Sequence, residues 1–314
     1  MNKALKILLI TVCAIILLIL VFFLFLLWAS KQPAVKENYF ENVTTKQPLE
    51  QKYTSKGSYA VSCISYEVGS KKTGQFKIWY PSEMEHSDRT YPLVIMTNGT
   101  GVKASRYEAV FDHLASWGFI VIGNEDENAW DGASSAESLD FMLRMNDDST
   151  SIFYGKVDLQ NIGVAGHSQG GVGAINAVTA QENGHCYKAI YTASTTHLVL
   201  ANALGWHYDA EKLEIPCFMT AGTLQADAGN EKDAGITPLW SLQENYDAMP
   251  ENIMKIYARR VNTDHGDMLA NADGYMTAWF LFLLQDDDEA GKVFVGEDAE
   301  ILTNANWQDV HKNT

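Results

Sequence analysis

The stretch Asn161-Ile162-Gly163-Val164-Ala165-Gly166-His167-Ser168-Gln169-Gly170-Gly171 decides how this chain is read. Ile162–Ala165 is a short apolar run of strand type, and a helical pattern follows from Gln169 to the neighbourhood of Gln181. Between them stands Gly-x-Ser-x-Gly. A serine on a tight strand-to-helix turn is held in a strained backbone conformation, and glycines two residues to either side leave room for the close approach. The helix N-terminus behind it favours developing negative charge. Ser168 is therefore the candidate nucleophile. A chance Gly-x-Ser-x-Gly in a glycine-containing loop is the competing reading. The strand before it and the small residues Gly170, Gly171 and Gly173 after it weigh against that.

Outward from this turn, apolar runs of strand type alternate with helical patterns, the signature of a largely parallel sheet covered by helices. Eight strands are expected, at Tyr59–Glu67, Phe76–Tyr80, Leu93–Thr97, Phe119–Gly123, Ile162–Ala165, Ala189–Thr192, Cys217–Ala221 and Ile253–Ala258. The turn from Gly69 to Gly74 makes an antiparallel hairpin of the first two. Leu93–Met96 and Phe119–Ile122 are continuously apolar, as strands covered on both faces should be. Helix starts are expected at the capping boxes Ser105-x-x-Glu108 and Ser134-x-x-Glu137, and at Thr237-Pro238 in the order cap, then proline. No repeat or second globular domain is visible. The acidic run Asp286–Glu289 reads as a solvated helix end.

A serine needs a base, itself oriented by an acid. In this strand order the acid and then the histidine follow the serine. Of the histidines set against that order, only His265 follows a late strand, in the polar loop Asn262-Thr263-Asp264-His265-Gly266-Asp267. It is the candidate base. The acid should follow the strand Cys217–Ala221, where Asp227, Glu231 and Asp233 lie; Asp227 is nearest the strand end, with Asp233 the alternative. Two donors should face a tetrahedral oxyanion. One is the backbone N–H of Gln169, and the other is that of Thr100 in the loop Thr97-Asn98-Gly99-Thr100-Gly101.

From Ile7 to Trp28 runs an uncharged segment of 22 residues, which at ~1.5 Å per residue spans a bilayer's hydrocarbon core. Lys3 and Lys6 before it favour a cytoplasmic N-terminus and an exported remainder. A cleaved signal peptide is the alternative, although Leu27-Trp28-Ala29-Ser30 is a poor small-x-small site. Residues 1–30 are thus read as an anchor, 31–57 as a polar tether with Pro33 and Pro48, and 58–314 as one catalytic domain. The 23 Lys and Arg against 39 Asp and Glu give a net charge of −16, which argues against nucleic acid and anionic headgroups as partners. The four cysteines, at 13, 63, 186 and 217, lack metal-ligand spacing, so no metal site is expected. Cys63 and Cys186 could pair outside the cell or stand as separate thiols.

With these pieces in line, the chain from Tyr59 onward resembles the α/β-hydrolase superfamily, and within it cutinase-like polyester hydrolases, dienelactone hydrolases and chlorophyllase-type esterases. The stretches that carry the resemblance are Pro92–Gly101, Leu114–Val121, Gly166–Gly171 and Asp264–Gly266. It implies carboxylic-ester hydrolysis through an acyl-enzyme, with no cofactor, on a small-molecule or polymeric ester. The polyester hydrolases carry an aromatic residue where Thr100 stands, so a flat aromatic acyl group loses that surface here. Trp206, Trp240 and Glu125 are candidate substrate-lining residues. No long helical lid is expected between Thr192 and Glu214, which suits short or medium acyl chains. The same fold also hosts peptidases, acyltransferases and non-catalytic binding modules, which remain the alternatives.

Overall fold

The computed structural model describes residues 2–29, 32–67, 70–230 and 232–314, in two compact units, Met1–Ala34 and Val35–Thr314. Ser30 and Lys31 at the end of the expected anchor, Gly69 in the hairpin turn and Glu231 beyond the seventh strand lie outside the described residues. The first unit is a single helix, α1 (Lys3–Ala29), whose segment Leu5–Trp28 has a mean hydropathy of 3.5. It is long and apolar enough to cross a membrane, and none of its hydropathic window is buried.

The second unit is built on one nine-stranded sheet, β1 (Val61–Glu67), β2 (Gln75–Pro81), β3 (Tyr91–Thr97), β4 (Ile120–Asn124), β5 (Val157–His167), β6 (Ala189–Ala193), β7 (Cys217–Gly222), β8 (Lys255–Arg260) and β9 (Trp307–Lys312). The order across the sheet is β1-β2-β4-β3-β5-β6-β7-β8-β9. From β4 to β8 neighbours run parallel, while β1, β2 and β9 pair antiparallel at the two edges. Eight strands were expected and β9 is the ninth. Its sequence is mostly polar, with only Trp307 buried, so it carries no apolar run to announce it.

Period-two alternation sends successive strand residues to opposite faces. Val94 and Met96 join a core packed by helices α3 (Glu108–Ser116) and α9 (Asp273–Gln285). Leu93 and Ile95 join a second core under α4 (Ala133–Asp147), α5 (Gln169–Thr179) and α8 (Leu239–Ala248). Covering both faces explains why these strands read as continuous apolar runs.

Three helix starts differ from the expected caps. Ser105 lies in a 3-10 turn, Ala104–Arg106, where its hydroxyl donates to Glu125, and α3 begins only at Glu108. Ser134 sits inside the first turn of α4 behind the left-handed Gly132. Thr237 precedes the Pro238 cap of α8 and donates to the Thr195 carbonyl instead. At Ser105 and Thr237 a long-range partner outcompetes the local one.

Residues 35–57 are not a free tether. Val35 and Tyr39 are buried, and α2 (Pro48–Thr54) buries Glu50, Tyr53 and Thr54. Glu50 pairs with Arg260 at 2.6 Å and also accepts from Asn304, Asn306 and Trp307. Glu300 caps α2 by accepting from the Leu49 and Glu50 amides. Partners about 250 positions away are invisible to a local reading of composition. Cys63 and Cys186 are free thiols.

Candidate active site

All three candidate catalytic residues stand just past the carboxyl ends of parallel strands: Ser168 after β5, Asp227 in α7 (Gln225–Ala228) after β7, and His265 after β8. Brought there by the strand order, they form one hydrogen-bonded row. Ser168 Oγ lies 2.9 Å from His265 Nε2, and His265 Nδ1 lies 2.7 Å from Asp227 Oδ1. A carboxylate can only accept, so the imidazole proton sits on Nδ1 and leaves the Nε2 lone pair to accept from the Ser168 hydroxyl.

Ser168 takes φ 60° and ψ −124°, a left-handed conformation rare for a residue with a side chain. Its amide donates to the Ala193 carbonyl at the end of β6. The flanking glycines are required by contact: a Cβ on Gly166 would meet the Gly170 carbonyl at 1.9 Å, and one on Gly170 would meet the Thr97 carbonyl at 2.2 Å. The elbow is thus pressed against the end of β3, beside the Thr97–Gly101 loop.

Asp227 is fully buried, and both its oxygens are engaged. Oδ1 faces His265; Oδ2 accepts from the Ser194 hydroxyl and, at 2.7 Å, from the Gly222 amide. Burial alone would push this carboxyl up. The hydrogen bond and charge of His265, with the bonds from Ser194 and Gly222, outweigh it and hold the group below the ordinary carboxylate range. Asp233, the alternative acid, is exposed and accepts from the Gly235 amide in its own loop. Asp264 ties the base loop to the acid loop, its Oδ1 accepting from the His265 and Ala226 amides.

His167, between Gly166 and Ser168, donates from Nε2 to the His265 carbonyl at 2.8 Å, so it fastens the elbow to the base loop. Its ring is 4.7 Å from that of His265. Burial, reinforced by the neighbouring His265, depresses its pKa to about 4, so it stays neutral at physiological pH. His167 and Ser194 are partners that the sequence reading passed over. Ser194 had one legible signal, since a polar run, Ser194-Thr195-Thr196, follows β6 on the same sheet edge as the nucleophile.

Gln169 is the first residue of α5, where backbone amides have no intrahelical acceptor, and Thr100 lies exposed in the facing loop. Among the lining candidates, Trp240 packs edge-on against His197 just beyond β6, with ring centroids 4.9 Å apart. Trp206 packs against the core under α4 and α5. The Glu125 carboxylate is occupied by the Ser105 amide and hydroxyl, which makes it a cap for a neighbouring turn. The segment between β6 and β7 carries the short helix α6 (Leu198–Ala203) and a 3-10 turn, Ala210–Lys212. Among the described residues no His, Cys, Asp and Glu group has metal-binding geometry.

One family model covers most of the chain. Residues 45–312 match that of the PET hydrolase-like proteins. The chain belongs to the PET hydrolase-like family. That family comprises polyester hydrolases of the α/β-hydrolase superfamily, consistent with the likeness to cutinase-like esterases. Its match begins ten residues after Val35 and runs through β9, so it takes in the α2 segment and the edge strand. No curated protein matches the chain.

Proposed function

We propose that this PET hydrolase-like chain is a serine carboxylic-ester hydrolase working through an acyl-enzyme on a neutral ester of short or medium chain length. The observation that carries the reading is the unbroken row from Ser168 Oγ through His265 to buried Asp227. As Oγ attacks the ester carbonyl carbon, His265 Nε2 takes its proton, and Asp227 stabilises the imidazolium that forms. The negative oxygen faces the amides of Gln169 and Thr100. Collapse breaks the ester C–O bond, the departing alcohol takes the proton back from Nε2, and the acyl group stays on Ser168. Water then gives a proton to Nε2 as its oxygen attacks the acyl carbon; the Oγ–acyl bond breaks, Ser168 takes the proton back from Nε2 and the acid leaves.

Thr100 offers no aromatic face, which favours aliphatic over flat aromatic acyl groups. The net charge of −16 disfavours anionic esters. Lys3 and Lys6 in the first turns of α1, ahead of its uncharged run from Ile7, support an anchored chain with its catalytic unit on the outer side. Fluorophosphonate labelling tests the chemistry. The wild type should be labelled and Ser168→Ala should not, and His265→Ala should lose p-nitrophenyl butyrate turnover by about 10³-fold or more. An intact, folded wild type that takes no label would sink the reading.

A further inference from the structure

The two amides that would face the oxyanion come from elements far apart in the chain, and one short segment after β4 touches both. The buried Asn98 side chain donates to the carbonyls of Asn124, at 2.7 Å, and Asp126, at 2.8 Å. The Gly101 amide donates to the Glu127 carbonyl at 2.9 Å. Gln169 Nε2 donates to Asn128 Oδ1 at 3.2 Å. Three consecutive residues, 126–128, therefore hold the Thr97–Gly101 loop at two points and the first turn of α5 at a third. The segment is itself fixed. Asn124 Oδ1 accepts from the Asp126 amide, and Asn124 Nδ2 donates to the Ser134 carbonyl and the Ser138 hydroxyl. Asp126 Oδ1 accepts from the Asn128 amide at 2.9 Å.

Gln169 is fully buried, and its Oε1 has no partner among the described residues. An amide buried with one end unpaired costs stability that an apolar side chain of the same size would not. Packing therefore does not account for a glutamine here; its reach to Asn128 does. Asn128 itself is exposed.

We propose that Asn128 is a positioning residue for hydrolysis, setting through Gln169 the separation of the Gln169 and Thr100 amides. The proposal rests on the ester-hydrolase reading. Oxyanion donors act at 2.7–3.1 Å from the developing charge, and a drift of about 1 Å forfeits much of their effect. The brace sets that distance from one strand end, since residues 126 and 127 hold the loop while 128 holds the helix.

The test compares wild type, Asn128→Ala, Asn128→Asp, Gln169→Met and the Asn128→Ala/Gln169→Met double variant on p-nitrophenyl butyrate, in ~0.5 M salt to screen the added exposed charge. Affinity for a trifluoromethyl ketone, whose serine adduct carries the oxyanion, and thermal midpoints are measured alongside. Asn128→Ala should lower kcat about ten- to a hundredfold, part of what losing a whole donor costs, with KM within about twofold. The ketone should weaken by the same factor, while the midpoint stays near wild type. Asn128→Asp, which returns the acceptor, should recover most of kcat, and the double variant should be no slower than Gln169→Met. Wild-type kcat in Asn128→Ala, a change confined to KM, or an Asn128→Asp as slow as Asn128→Ala would overturn the brace alone. A wild type that turns over no ester would overturn the hydrolase reading, and the brace with it.

Discussion

At residue scale, the proposed nucleophile and the proposed acid are each held against their own preference. Ser168 keeps a left-handed backbone at φ 60°, which glycine adopts freely and alanine does not. Strain of about 1–3 kcal/mol exceeds glycine's unfolded-state entropy cost of roughly 0.5–1 kcal/mol. Ser168→Gly should therefore be more stable than Ser168→Ala by about 1 kcal/mol in denaturant unfolding. The opposite order would mean that the elbow stores no strain. Asp227 is kept ionised despite its burial by His265, Ser194 and Gly222. Asp227→Asn should cut kcat by about 10³–10⁴ through loss of the Nδ1–H tautomer. Its carboxyl lies lower in the folded than in the unfolded chain, so its stabilisation is complete above the ordinary value of about 3.9. It fades as pH falls through the lowered native value. The stability gap between wild type and Asp227→Asn should accordingly shrink from pH 7 to pH 3, and a gap independent of pH would remove this linkage.

Among the secondary-structure elements, α5 meets the end of β3 backbone to backbone. The 2.2 Å approach of a Gly170 Cβ to the Thr97 carbonyl, with the Asn98 carbonyl at 2.7 Å, leaves no room for even a methyl group. Both contacts are backbone atoms at the end of a central strand, so neither can swing aside. Gly170→Ala should displace the first turn of α5, costing about 1–3 kcal/mol as overpacking. It should also lower kcat far more than KM, because the Gln169 amide moves with the turn. Circular dichroism and steady-state kinetics on the folded variant check this; unchanged kcat would show that the helix can shift without disturbing the oxyanion donors.

Over the whole second unit, the N-terminal segment closes the fold through charge. The Glu50–Arg260 pair at 2.6 Å, both members buried, joins α2 to β8 and, through Trp307, to the edge strand β9. Removing one member leaves the other buried and unpaired, which costs about 3–5 kcal/mol. Glu50→Ala should lower the urea midpoint by a corresponding amount while leaving the KM of the folded enzyme unchanged. A midpoint within error of wild type would show that α2 contributes nothing to the stability of the unit.

Eight of the nine strands, the largely parallel sheet and the elbow at Ser168 could be read from the chain because they are local: apolar runs, turn glycines and a motif within a few residues. His265 followed from strand order alone, and Asp227 from its nearness to the end of β7. Other features depend on partners that no local pattern encodes. Glu50 meets Arg260 across 210 positions, Ser194 reaches Asp227 across 33, and Gln169 meets Asn128 across 41. The expected caps at Ser105 and Thr237 gave way to Glu125 and Thr195 for the same reason. A buried polar group must be paired, but its partner is chosen by which chain segments the sheet brings together. Sequence alone therefore determined eight of the nine strands, the largely parallel sheet and the elbow that carries Ser168. Folding chose the partners of Asp227, the closure by α2 and β9 and the contact of Gln169 with Asn128, because each joins groups that become neighbours only when distant segments pack.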